Sequence, residues 1–231
     1  MSKREEIRKK RAATQRRNMI WLISGITLFI VIFVGALVLP GIIANNQPVG
    51  EVIIPEAHDH PNPNGLFMGD PYAPVKLVEY SDFQCPYCKL FASGTEQDIV
   101  RDFVSQGLVY FEYRPYTVIG SESDASALAA YCAGDQNKFW EYHDILFANI
   151  TGEQVGDFYD NRLYAFAEKI GLDMDSFKSC YKSRTYAQRL ADDRKSANAA
   201  GIKGTPMILV NGVEVTSPSS AYQAIKDLLG K

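Results

Sequence analysis

Val75-Lys76-Leu77-Val78-Glu79-Tyr80-Ser81-Asp82-Phe83-Gln84-Cys85-Pro86-Tyr87-Cys88 joins a run of branched apolar residues to a closely spaced pair of cysteines. Val75 to Tyr80 reads as a strand, and its Val/Leu content is too high for an exposed edge. From Pro86 to about Ser105 the pattern is helical, with Leu90, Phe91, Ile99 and Phe103 as the apolar stripe and Gly107 as the stop. Leu108 to Tyr113, rich in aromatic and branched residues, is a second strand. Strand, helix and strand in this order make the parallel unit of an α/β sheet.

Downstream the pattern turns helical for about 80 residues. Asp124 to Ala133 is Ala-rich and ends at Gly134. Asp135 is placed to cap a helix carrying Phe139, Trp140, His143, Leu146 and Phe147. Asn161 to Ile170 stops at Gly171, and helices around Phe177 and from Arg184 to Ala200 follow. Trp140, His143 and Phe147 are expected as core of this helical segment. Met207 to Val210 and Val213 to Val215 then flank Asn211-Gly212, a strong hairpin signal. Ser217 and Pro218 open a last helix that buries Ala221, Ile225, Leu228 and Leu229. The expected order is βαβ, a helical insertion, then ββα.

Cys85-Pro86-Tyr87-Cys88 falls where a strand becomes a helix. Two thiols in a first helical turn can close a small disulfide ring, and the unpaired N–H groups there favour a thiolate. Disulfide exchange needs that thiolate as nucleophile and a second thiol to resolve the mixed disulfide. Cys85, nearer the exposed end, is expected as the nucleophile and Cys88 as the resolving thiol. Pro86 at the first helical position sacrifices no hydrogen bond. A zinc half-site is the competing reading, but Cys132, Cys180 and His143 are isolated in sequence. Gly204-Thr205-Pro206 stands directly before the Met207 strand, where a proline is tolerated; spacing alone leaves its peptide cis or trans.

Charge is divided along the chain. Eight of the 24 Lys/Arg residues lie within residues 1–17, against Glu5 and Glu6 alone among 27 acids. The remaining acidic body argues against general nucleic-acid binding, which needs excess Lys/Arg to meet phosphate. Between Arg17 and Glu51 there is no ionisable side chain, and Met19 to Leu39 is a 21-residue apolar run. At 1.5 Å per residue it reaches about 30 Å, one hydrocarbon core. It is longer than a signal-peptide core, and Val38-Leu39-Pro40-Gly41 is no small-x-small exit, so an uncleaved single-pass anchor is expected. The basic flank places the amino terminus in the cytoplasm and the body outside it. The expected divisions are a cytoplasmic arm at 1–18, a transmembrane helix at 19–39, an extracytoplasmic linker at 40–64, and a catalytic domain at 65–231 with an insertion at about 117–200. The Pro-rich linker reads as a semi-extended spacer. His58 and His60 within it lack a third partner and are expected to be solvated. Outside the cytoplasm, the even cysteine count favours a structural disulfide between Cys132 and Cys180 over two buried thiols.

Gly69-Asp70-Pro71, the stretch Val78 to Cys88, Tyr131-Cys132-Ala133, Lys138 to Asp144, Gly204-Thr205-Pro206-Met207 and Asn211-Gly212 together resemble the membrane-anchored or secreted DsbA-like thiol:disulfide oxidoreductases of bacteria. The resemblance runs from about Gly65 to the carboxy terminus. It implies a thioredoxin fold interrupted by a helical domain. It also implies a cis Pro206 facing the Cys85–Cys88 pair, with Thr205 offering backbone hydrogen bonds to substrate peptide. Glu79, by the same analogy, is a buried proton acceptor near Cys88; the alternative is an outward surface carboxylate. The expected activity is donation of the Cys85–Cys88 disulfide to newly exported proteins, with no metal or organic cofactor. Reoxidation would fall to a quinone-linked membrane partner of the DsbB or vitamin K epoxide reductase type. Tyr87 departs from the family, many of whose members carry His there, and Pro-Tyr is typical of glutaredoxins. A reductase or isomerase running in the opposite direction is therefore the first alternative. A metal carrier using Cys85, Cys88 and His58 or His60 is the second.

Overall fold

The structure, a computed structural model, describes residues 3–45 and 48–231. The side chains of residues 1–14, 17 and 40–47, which include most of the basic arm and the first part of the expected linker, lie outside the described residues. The chain divides into two compact units, Met1–Gln47 and Pro48–Lys231. In the first, one helix, α1 (Lys3–Asn45), runs through the arm and the apolar run without a break. It contains a 22-residue segment, Asn18–Leu39, long and apolar enough to cross a membrane.

The second unit is built on a five-stranded sheet in the order β1-β3-β2-β4-β5. Its strands are β1 (Phe67–Gly69), β2 (Val75–Ser81), β3 (Val109–Pro115), β4 (Met207–Val210) and β5 (Val213–Glu214). β2 is central. It pairs in parallel with β3, from Val75 opposite Val109 to Ser81 opposite Pro115, and antiparallel with β4. A strand covered on both faces needs apolar residues on both: Val75 and Leu77 are buried on one face and Tyr80 on the other. β1 is too short to announce itself in the sequence. Gly69 ends it at φ +97°, and a Cβ there would lie 2.4 Å from the Val109 carbonyl oxygen, so only glycine lets β1 close on β3. The Asn211-Gly212 turn has both residues at positive φ, as a type I′ hairpin requires. Asn211 Oδ1 also accepts from the Lys76 N–H at 2.8 Å, tying the turn to β2.

The crossover from β2 to β3 differs from the single helix expected. α2 (Pro86–Ala92) stops at Ser93-Gly94, α3 (Thr95–Ile99) restarts, and a π-helical turn over Val100–Val104 ends it. Ser and Gly are poor helix formers, and the break re-aims the chain. Leu90, expected in the buried stripe, is 65% exposed, whereas Glu96 on α3 is buried.

The insertion consists of α4 (Ser121–Gly134), α5 (Phe139–Asn149), α6 (Asp160–Lys169), α7 (Met174–Lys182) and α8 (Ala187–Ala199). α4 is buried almost all round from Ser126 to Ala133, and its Ala side chains let α5, α6, α7 and α8 approach. Asp135 does not cap α5, which starts behind Lys138; its carboxylate instead accepts from the Tyr186 hydroxyl. Trp140, His143 and Phe147 are buried, but they join the insertion to the sheet rather than filling the insertion alone. Phe147 packs 5.1 Å from Phe83, His143 5.3 Å from Tyr113, and the Trp140 indole donates to the Phe67 carbonyl at 3.1 Å. After β5, a capping box at Ser217 and Ser220 opens a 3₁₀ turn and then α9 (Ala221–Leu229). Leu228 is 55% exposed there, not buried as expected.

Residues 48–64 do not stand free as a spacer. Asn149 brackets Ile53, its Oδ1 accepting from the Ile53 N–H at 2.8 Å and its Nδ2 donating to the Ile53 carbonyl at 2.7 Å. The Gly69 N–H donates to the Pro61 carbonyl at 2.7 Å, and the Arg162 guanidinium donates to that of Val49.

Cys132 on α4 and Cys180 on α7 form a disulfide across 48 positions. Closing a loop of that length removes about 4 kcal/mol of unfolded-state entropy. The double variant Cys132→Ala/Cys180→Ala is therefore expected to lose about 2–5 kcal/mol in urea unfolding of the full chain in detergent.

Candidate functional site

β2 delivers its carboxy-terminal end to the site. Antiparallel pairing sets Tyr80 opposite Met207, so Pro206, the next residue back, lies beside the chain leaving β2. The Thr205–Pro206 peptide is cis. Between β2 and α2 the chain makes a tight loop that Asp82 and Gln84 hold. Asp82 Oδ1 accepts from the Gln84 N–H at 2.9 Å, and Oδ2 accepts from the N–H groups of Val118 and Ile119 at 2.9 and 3.2 Å. Gln84 donates to Ser123 Oγ at 2.7 Å and accepts from the Gln154 N–H at 2.6 Å. Both side chains are buried, and both tie the loop to the insertion.

Cys85 occupies the position before α2, with Pro86 in its first turn. Both thiols are free; Cys85 is 5% exposed and Cys88 fully covered, while Tyr87 between them is 67% exposed. The Cys85 thiol donates to the Thr205 carbonyl at 3.3 Å. Hydrogen bonding from the Cys88 thiol, then from the Thr205 side chain and the N–H groups of Cys88 and Tyr87, outweighs burial and brings the Cys85 thiol down to about 6. Cys88 moves the other way. Burial, the hydrogen bond to Cys85 and the charge of Glu79 push it well above the ordinary thiol range.

Glu79 is buried, and neither carboxylate oxygen has a hydrogen-bond partner. Burial is the main cause that pushes its carboxyl up to about 8. Two residues without an assigned role in the sequence join it. Single ligand atoms of Glu79, Glu96 and His143 all lie within 4.8 Å of one another, and all three residues are buried. Burial, with the charges of Glu79 and Asp144, also raises the Glu96 carboxyl well above its ordinary value. His143 Nδ1 lies 2.9 Å from Asp144 Oδ1, while its Nε2 faces Glu96 at 3.8 Å without a partner. Burial lowers the His143 pKa, which favours the neutral ring. The Tyr113 hydroxyl and Ser81 Oγ are likewise buried and unpaired. Behind the thiols the protein thus holds a pocket of uncharged acids and an uncharged imidazole, able to take up or release a proton.

His58 and His60 do not hang free in solvent. Their Nε2 atoms lie 3.1 and 2.9 Å from Asp144 Oδ2 on α5. They do not turn toward the thiols, so the metal carrier combining Cys85 and Cys88 with these histidines is not assembled. Among the described residues, two groups gather three metal-ligating side chains, and neither contains a cysteine. Only the Lys138 to Asp144 motif hinted at this arrangement, and it gave no sign that Asp144 meets the linker.

The family model Thioredoxin_4, described as Thioredoxin, matches residues 61–229. The crystal structure of oxidised BdbD from Bacillus subtilis superposes with a TM-score of 0.66 at 26% identity, covering 74% of this chain and 98% of that one. A Bacillus cereus protein named "Probable disulfide bond formation protein D" is 28% identical over 151 residues, 63% of this chain and 69% of its own. The Na(+)/H(+) antiporter NhaA 1 of Salinispora arenicola is 37% identical over 140 residues, 61% of this chain. The match spans only 20% of that antiporter's length. The chain belongs to the thioredoxin family, and its helical insertion within the thioredoxin fold is of the DsbA-like kind.

Proposed function

We propose that this protein is a thiol:disulfide oxidoreductase that passes the Cys85–Cys88 disulfide to exported proteins. A substrate thiolate attacks Cys85 Sγ, the Cys85–Cys88 bond breaks, and Cys88 leaves as a thiolate. Glu79, protonated below about 8, supplies the proton that Cys88 takes up. A second substrate thiolate then attacks the substrate sulfur of the mixed disulfide and expels the Cys85 thiolate. The substrate loses two electrons and the protein gains them. The observation that carries this reading is the opposed acidity of the two thiols. An acidic Cys85 leaves readily, and a Cys88 held as thiol is slow to recapture the mixed disulfide before the substrate completes the exchange. Stabilising the Cys85 thiolate also favours the reduced protein, which makes the disulfide a better oxidant.

Thr205, beside cis Pro206, is proposed to pair its backbone with a bound peptide. Exposed Tyr87, Leu90, Val118 and Val155 lie on or beside the segments that flank the thiol loop, and they offer apolar contact to unfolded chain. Asn18–Leu39 would anchor the protein, with the basic arm inside and the catalytic unit outside. The Cys132–Cys180 disulfide accords with an oxidising compartment. A quinone-linked membrane protein of the DsbB or vitamin K epoxide reductase type would restore the active disulfide, and no other cofactor is invoked. The reverse direction, a reductase or isomerase, draws its support from Tyr87, which puts no positive charge beside the thiolate. Alkylation trapping in cells separates the two: a mostly oxidised Cys85–Cys88 pair is expected, and a mostly reduced pair would reverse the direction.

Cys85→Ala is expected to abolish oxidative refolding of a reduced protein substrate; retained turnover would remove the assignment. In the reduced protein, alkylation of Cys85 should rise with pH to half its maximum near 6. Because this pKa is depressed on folding, thiolate formation stabilises the reduced form fully only above the ordinary value of 9.0. That stabilisation shrinks as pH falls and is absent below about 6. Melting of the reduced and oxidised forms across this range reads it directly. Glu79→Gln is expected to slow steps that protonate or deprotonate Cys88 by about 100-fold. It should also erase an inflection near pH 8 from their profile, while Cys85 remains open to alkylation.

A further inference from the structure

We propose that His58, His60 and Asp144 form a binding site for a divalent transition cation of the zinc type, separate from the thiols. Three ligand atoms, one from each side chain, lie within 4.8 Å of one another. Both imidazole Nε2 atoms approach the same carboxylate oxygen, at 3.1 Å for His58 and 2.9 Å for His60. In a tetrahedral zinc site with bonds of about 2.0–2.1 Å, ligand atoms stand about 3.3 Å apart, close to these separations.

Proton placement requires a positive charge at this point. His58 Nδ1 lies 3.1 Å from the Glu56 carbonyl oxygen, which can only accept, so Nδ1 carries the hydrogen. In a neutral ring that leaves the Nε2 lone pair aimed at Asp144, the tautomer a metal ligand needs. The His60 side chain is only 10% exposed, and its Nε2 has no hydrogen-bond partner despite its proximity to Asp144. The His58 lone pair and the Asp144 carboxylate, converging on one point, repel each other unless a positive charge lies between them, a bound metal ion or the proton of a charged His58. Two imidazoles with one carboxylate suit zinc better than calcium or magnesium, which prefer oxygen ligands.

The surroundings complete the arrangement. The other oxygen of Asp144 is 2.9 Å from His143 Nδ1, which orients the carboxylate from behind. A cavity of about 110 Å³, lined in part by His58, Asp144, Lys89 and Ser93, opens beside the ligands and has room for a water in a fourth position. The Lys89 ammonium is turned away to the Ile150 carbonyl at 2.8 Å. A bound cation would clamp residues 58–60 to α5, and so fasten the segment preceding the sheet onto the domain.

The test uses the full chain in detergent, stripped of metal by a chelator, with the Cys85–Cys88 disulfide closed so that the thiols cannot bind metal. Calorimetric titration with Zn²⁺ is expected to give one equivalent per chain, and Co²⁺ should give the visible absorption of a four-coordinate site. His58→Ala and His60→Ala, both outside the helices and sheet, should each weaken Zn²⁺ binding by about 100-fold or more. Asp144→Asn should do the same, with the two histidine variants deciding if Asp144→Asn disturbs folding. Absence of Zn²⁺ binding, binding indifferent to both histidine variants, or a preference for Ca²⁺ or Mg²⁺ would each overturn the proposal. The first of these would leave a protonated His58 as the cation that Asp144 holds.

Discussion

A carboxyl group buried in the middle strand of the sheet governs what surrounds it. Glu79 sits between β3 and β4, opposite Tyr113 and Ile208, with no solvent contact. Moving an unpaired carboxylate to such a place costs several kcal/mol, so the group is held neutral instead. The neighbours fit that requirement. Glu96 is raised in turn, His143 is lowered, and the Tyr113 and Ser81 hydroxyls stay uncharged. Apolar replacements would pack more favourably, as they do elsewhere in this core. A polar interior kept at that expense is what makes Glu79 the candidate proton acceptor proposed above.

The same neighbourhood sets the two cysteines apart. They stand at the start of one helix, yet the Cys88 thiol, the Thr205 side chain and the backbone N–H groups of Cys88 and Tyr87 favour charge on Cys85, while burial and the nearby acid disfavour it on Cys88. Geometry does this through three separated stretches of chain. The strand supplies the acid, the helix start supplies the N–H groups, and the loop before β4 supplies Thr205.

What could be read from the sequence was local chemistry. Cys85-Pro86-Tyr87-Cys88 at a strand-to-helix boundary, proline after Gly204-Thr205 and the Asn211-Gly212 turn each carry their meaning within a few residues. So did the strands β2, β3 and β4, whose composition betrays their burial. What escaped depends on contacts far apart in the chain. The three residues of β1 show no periodicity. The helix break at Ser93-Gly94, after which Glu96 on α3 is buried, is not announced by the apolar spacing, which runs on from Leu90 and Phe91 to Ile99 and Phe103. Asp144 lies midway along an amphipathic helix, and nothing in its own sequence context says that His58 and His60 come to meet it. The prolines between 48 and 63 suggested an extended spacer. They proved equally compatible with an extended strap, because a chain without internal hydrogen bonds is free to bond to a surface.

The anchoring of the thiol loop by Asp82 and Gln84 bears on how such a protein could arise or be trimmed. Every side-chain partner of those two residues beyond the loop itself belongs to the insertion or its connecting segments: Val118, Ile119, Ser123 and Gln154. Excising the helices to recover a minimal thioredoxin would strand two buried polar side chains directly beneath the cysteines. The insertion is accordingly no detachable module. It is part of the mount on which the two cysteine sulfurs sit, so a change in the insertion is carried to them through Asp82 and Gln84.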